Sequence, residues 1–136
     1  MLNLEELFDK DITVINKYYD KIAKKTEYKA SYVKGFWSAD DSMSISGTHL
    51  IKNDKTIVRI LINDSRNEAY QEPIEFKRNA KTWTLQNDDY LVKGIVEEFT
   101  TIANVLDSYR DVMKITNIET KDYGSEDMQH WAIMGE

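Results

Sequence analysis

The chain has no cysteine, one proline, five glycines and two histidines among its residues, and each shortage removes a class of chemistry. Without cysteine there are no disulfides, thiolate metal sites or cysteine nucleophiles, which fits a reducing compartment. Gly35, Gly47, Gly94, Gly124 and Gly135 lie too far apart for a dinucleotide fingerprint or a phosphate loop. The longest apolar run, Ile57 to Ile62, is broken by Arg59 and is far shorter than the roughly 20 residues that span a bilayer. Glu5, Glu6 and Asp9 stand where a secretory signal would carry basic residues and a long apolar core, so the sequence predicts a protein that is not exported and contacts no membrane.

The composition is acidic. With 24 Asp and Glu against 18 Lys and Arg, the net charge is −6, which works against tight binding to phosphates. A surface that repels DNA remains compatible with it. At 136 residues the chain fits one domain able to bury a core without covalent staples. Eight tyrosines suit a half-buried sheet.

Along the chain the signals are those of strands. Residues 1–10 read as one short helical turn. Asp11 to Tyr19 and Thr26 to Trp37 form a first hairpin, joined by the charged segment Asp20 to Lys25. Residues 38–55 are polar, with Met43, Ile45 and Leu50 interspersed, and predict a long loop or flat β-arm projecting from the domain. Thr56 to Ile62 reads as a central strand buried on both faces. Asn63 to Ala80, with Pro73, reads as a connection that tucks Ile74 and Phe76 against the core. Trp83 to Leu85 and Tyr90 to Val96 read as a second hairpin around Gln86-Asn87-Asp88-Asp89, whose side chains favour a turn. Ile102, Val105, Leu106 and Tyr109 predict a short amphipathic helix. Asp111 to Lys121 and Met128 to Met134 complete the strands, with a turn at Asp122 to Ser125. The sum is a mainly β domain over 1–136, a closed barrel or compact sandwich with one or two short helices.

No catalytic set emerges. His49 and His130 lie in no catalytic motif, and His130 beside Glu126 and Asp127 is a weak metal signal; bonding to a turn or interface explains it better. Asp40 with Asp41, Asp88 with Asp89 and Glu97 with Glu98 are adjacent pairs, which point to opposite strand faces and read as solvated turns. No enzyme activity, cofactor or metal is expected. Tyr18, Tyr19, Tyr28, Tyr32, Phe36 and Trp37 with nearby lysines could stack on single-stranded nucleic acid, but the acidic balance disfavours it.

Three stretches carry a resemblance: Gly124-Ser-x-x-Met-Gln-His-Trp131; Trp83-Thr-Leu-Gln86 ahead of Asp89-Tyr-Leu-Val-Lys-Gly94; and the opening Asp11-Ile-Thr-Val-Ile-Asn-Lys-Tyr18. Together they resemble the minor capsid or head–tail joining proteins of tailed bacteriophages and prophages, over roughly residues 11–135, with no motif matched in 38–80. The order of elements also resembles the stopper proteins, which implies a small SH3-like barrel with a long loop. The resemblance implies a structural virion protein of the neck, made in the bacterial host cytoplasm. It would act as a cyclic ring of about six or twelve copies. The ring would contact a portal-side connector and a tail-side terminator or tube protein, and DNA would pass through its lumen without specific binding. Asp40, Asp41, Met43, Ile45 and His49 become candidates for inter-subunit or channel contacts. Trp83, Gly94, Gly124, Met128, Gln129, His130 and Trp131 become candidates for fold positions, Met128 to Trp131 as a lock or interface. The alternatives are a tail-terminator or tail-completion protein, and a small barrel binding nucleic acid or a host protein.

Overall fold

The computed structural model describes residues 4–40, 43–46, 49–52, 55–97 and 101–135. After a helical turn, α1 (Leu4–Leu7), come β1 (Lys10–Asp20), β2 (Lys25–Asp40), β3 (Met43–Ser46), β4 (His49–Lys52) and β5 (Lys55–Leu61). The second half holds α2 (Pro73–Arg78), β6 (Tyr90–Lys93), α3 (Ile102–Ser108), β7 (Val112–Lys121) and β8 (His130–Gly135). Six strands close an antiparallel barrel in the order β1-β2-β5-β8-β7-β6, and β3 and β4 pair in a separate two-stranded sheet.

Alternation explains why this sequence closes. All six barrel strands send apolar side chains inward: Ile12 and Val14, Val33, Val58 and Ile60, Leu91, Met113 and Ile115, Trp131 and Ile133 form one buried cluster. The opposite face of β1 and β6 is also covered. Ile15, Val92, Val96 and Val105 form a second cluster there, under α3 and the segment before it. Thr101 caps α3 by accepting a hydrogen bond from the Asn104 N–H at 3.1 Å, and Val105 is the residue that the helix buries. Closure removes the free edges that an open sheet would expose, except where a strand is too short to cover its neighbours.

The first hairpin, the 102–109 helix and the last two strands form as the sequence predicts. Three expectations need correction. Trp83–Leu85 does not pair with Tyr90–Lys93: Trp83 bridges Tyr70 in parallel, and β6 pairs β1 and β7. The 83–85 stretch alternates like a strand because it plugs one end of the barrel, where Trp83, Thr84 and Leu85 are all buried. Strand β5 is fully buried on the Val58 and Ile60 face, while on the other face Leu61 is buried but Ile57 and Arg59 are half-exposed. In the connection after β5, Phe76 is buried as expected, but Ile74 is 68 % exposed on the outer side of α2.

Charge fixes this connection. The Asp64 side chain is buried, and the Arg66 guanidinium donates to both its oxygens, from Nε at 3.0 and 3.2 Å and from Nη2 at 2.7 Å. Arg66 Nη2 also donates to the Phe8 carbonyl at 2.8 Å, tying the loop to the chain entering β1. The guanidinium beside it holds the Asp64 carboxyl below its ordinary range, against the opposing effect of burial. A lowered folded pKa contributes stability that is complete above the unfolded carboxylate value of about 3.9 and is lost as pH falls through the folded value. Arg66→Gln is therefore expected to cost about 2 kcal/mol at neutral pH, with the deficit shrinking below about pH 4, as urea denaturation across pH would show.

Candidate functional site

A surface cleft opens where the barrel wall is incomplete. Strand β6 covers only Ile12–Ile15 of β1, so the β1 edge from Asn16 to Asp20 has no strand beside it on that side. Chain direction explains the early stop. Asp88 adopts a left-handed conformation with φ 73°, and the Asp89 N–H closes a turn onto the Gln86 carbonyl at 3.3 Å, so the chain leaves the wall just before β6. Facing this edge is the second half of β7, displaced by a bulge between Ile115 and Asn117.

The resulting cleft has a volume of about 870 Å³. Its walls are Lys17, Tyr18 and Tyr19 on one side and Asn117 and Ile118 on the other. Phe76 and Lys77 of α2 stand over one end, and Leu85 to Asp89 form the floor. The Phe76 ring meets Tyr18 edge-on, with centroids 6.4 Å apart.

A buried polar cluster closes the floor. Asn16 is fully buried on the same strand face as Ile12 and Val14. Its amide donates to the Thr84 carbonyl at 2.8 Å and to Asp89 Oδ2 at 3.0 Å, while its Oδ1 accepts from the Thr84 N–H at 3.1 Å. Asp89, only 2 % exposed, also accepts from Gln86 Nε2 at 2.8 Å and from the Lys17 N–H at 3.3 Å. Its backbone pairs with β7, its carbonyl accepting from the Ile115 N–H at 2.8 Å. Asp89 thus ties β1 to β7, its carboxylate bonding Asn16, which holds the plug, and its carbonyl bonding Ile115.

Burial raises the Asp89 pKa above its ordinary value, and the bonds from Asn16, Gln86 and the Lys17 N–H oppose the rise. A raised folded pKa in an acid favours the folded state below the unfolded value and loses that contribution as pH climbs through the folded one, the reverse of Asp64. In Asp89→Asn the amide oxygen can still accept from Asn16 and Gln86, leaving only the Lys17 N–H short of an acceptor. The expected cost is about 1 kcal/mol at pH 7, increasing toward acid pH, where the wild type alone gains from protonation; urea titrations at the two pH values measure it.

The adjacent acids thus separate: Asp88 is exposed, but Asp89 is not a solvated turn residue. Sequence reasoning also missed Asn16, although a lone amide in register with Ile12 and Val14 was the available signal. Of the arm candidates, Asp40 ends β2, Met43 and Ile45 lie in β3, His49 lies in β4, and Asp41 lies outside the described residues.

The C-terminal motif divides. Trp131 is buried and packs on Tyr70 and Trp83, with ring centroids 4.4 and 5.6 Å away. Met128 is 58 % exposed at the end of a 3₁₀ turn. The His130 ring lies 3.0 Å from the Met128 carbonyl, and Gln129 Nε2 donates to the Gly124 carbonyl at 3.3 Å, both local turn bonds. Gly94 and Gly124 have φ of 114° and 83°, conformations that side chains rarely adopt. Among the described residues no group of three or more His, Asp or Glu is placed to hold a metal, and no helix is long and apolar enough to cross a membrane.

These features define a small, closed, antiparallel β-barrel with an inserted two-stranded sheet and a cleft at a gap in its wall. The chain belongs to a family of unknown function, DUF6751, whose model matches residues 7–136. No curated protein and no solved structure matches it.

Proposed function

We propose that this protein is a non-enzymatic structural component of a tailed-phage neck, a stopper-type connector that works as a ring through protein–protein contacts. The observation that carries the reading is the insertion of a separate β3–β4 sheet between adjacent strands of a closed barrel, the layout that the head–tail joining resemblance leads one to expect. A rigid barrel suits a ring subunit, and the inserted sheet offers strand edges to a neighbour. The acidic balance of the chain suits passage of DNA without adhesion.

The insertion should be dispensable for folding. Asp40 and Lys55 face each other in the β2–β5 register, so a two-residue Asn-Gly turn can replace 41–54 and leave a regular hairpin. The shortened chain is expected to keep its far-UV circular dichroism, with a melting temperature within about 5 °C of the full chain, and to fail to enter particles. Loss of folding would make the insertion part of the core. Assembly into intact particles at normal yield would remove it from the function.

A further inference from the structure

We infer that the tip of the β1–β2 hairpin docks on the β7–β8 loop of a second copy of this chain, an apolar contact framed by opposite charges. That the contact repeats into a ring rests on the connector reading above; the contact itself is argued from this chain.

The tip is an ordered turn that holds an apolar side chain in water. Asp20 Oδ1 accepts from the Ile22 N–H at 2.9 Å and from the Ala23 N–H at 3.2 Å, and Lys24 adopts a left-handed φ of 56°. Ile22 is left 96 % exposed. Around it, residues 21–25 hold three exposed lysines, Lys21, Lys24 and Lys25, and no acid. The acids that flank the tip are engaged, Asp20 in the turn and Glu27 with Lys25 at 3.3 Å. One exposed isoleucine is ordinary on a surface, but one fixed at the end of a bonded turn is an anchor that loses little freedom on binding.

The β7–β8 loop is its complement. Residues 122–128 hold Asp122, Glu126 and Asp127 and no base, and within them Tyr123 is 71 % and Met128 58 % exposed. Lys121, which precedes the loop, pairs with Glu119 at 2.9 Å. This loop is ordered as well: the Met128 N–H bonds the Ser125 carbonyl at 2.9 Å, and the Asn63 amide donates to the Glu126 carbonyl at 2.9 Å. Both halves of a charge-complementary apolar contact therefore stand on one chain, which is what selects a second copy as the occupant.

Topology places the halves where such a contact can repeat. β1 and β7 both run antiparallel to β6, so they point the same way, and the tip and the loop leave the same end of the barrel. In the closed order β1-β2-β5-β8-β7-β6, the β1–β2 pair is separated from the β8–β7 pair by β5 on one side and β6 on the other. The tip and the loop thus rise from opposite flanks at one height. Barrels standing parallel to the axis of a cyclic ring meet their neighbours by opposite flanks at one height, through a heterologous contact of this kind.

Sedimentation of the full chain tests the contact. The wild type is expected to associate as its concentration rises, and less so at high salt, because the charged frame is exposed. Ile22→Glu should weaken association at least tenfold with the melting temperature little changed, since the side chain it replaces is already in water. Lys21→Glu with Lys24→Glu should do the same, as should Asp122→Lys with Asp127→Lys. Mixing these two reversed chains should restore assembly, because each tip then meets a loop of opposite charge. Should Ile22→Glu fail to fold, the reversed chains and their mixture decide the matter. A wild type that stays monomeric at millimolar concentration, variants that associate as the wild type does, or reversed chains that stay apart when mixed would overturn the inference. A chain that assembles by this contact but is absent from phage particles would reject the connector reading alone; a neck ring that forms normally from Ile22→Glu would reject this contact alone.

Discussion

Asn16→Asp is expected to destabilise the protein by about 3–5 kcal/mol at pH 7, much of the 5–15 kcal/mol available to a domain of this size. The substitution preserves shape and changes charge. Asn16 Nδ2 donates to both the Thr84 carbonyl and Asp89 Oδ2, and a carboxylate there turns two attractive contacts into repulsions in a site with no access to water. Two carboxylates this close cannot both ionise cheaply, so the variant should bind a shared proton and recover part of its stability as pH falls toward about 5. Urea denaturation at pH 7 and pH 5 would show the difference. In an Asp89→Asn background the cost of Asn16→Asp should fall by more than 1 kcal/mol, because the second charge is gone. Equal costs in both backgrounds would show that packing, not charge, dominates at this floor.

Trp83→Ala is expected to cost about 3–5 kcal/mol, from the lost apolar burial and the cavity left behind. Trp83 is 1 % exposed and lies edge-on to both Tyr70 and Trp131, at centroid distances of 5.1 and 5.6 Å. Its Nε1 donates to the Glu68 carbonyl at 2.8 Å, so it also holds the connection after β5 against the plug. Trp83→Phe keeps most of the burial but leaves that carbonyl unpaired, and should cost about 1–2 kcal/mol. Thermal denaturation ranks the two, and loss of near-UV circular dichroism in the alanine variant would report the loosened aromatic cluster.

The barrel was legible in the sequence because its strands alternate on a clear period of two and its first turn is charged. The second hairpin misled for a physical reason: residues capping a barrel end are as apolar as residues lining it, and periodicity cannot separate Trp83–Leu85 in a plug from Trp83–Leu85 in a ladder. Pro73 was a helix-start signal, since proline is favoured in the first turn where its missing N–H costs nothing, and it does begin α2. The cleft was not legible at all. It depends on where β6 stops, which follows from the left-handed turn at Asp88 and the bulge in β7, and neither has a period. Asp89 illustrates the limit, because its neighbour Asp88 has the same side chain and faces solvent; only the tertiary position of Asn16 decides which of the two is buried.

The central claim, a connector ring built from this barrel, is tested most directly by purifying phage particles from cells that express this chain and reconstructing their necks. The account predicts a closed ring of density between the portal side and the tail that the six-stranded barrel fits, with each subunit's β3–β4 hairpin directed at its neighbour. Particles lacking the chain, or carrying it anywhere other than the neck, would contradict it.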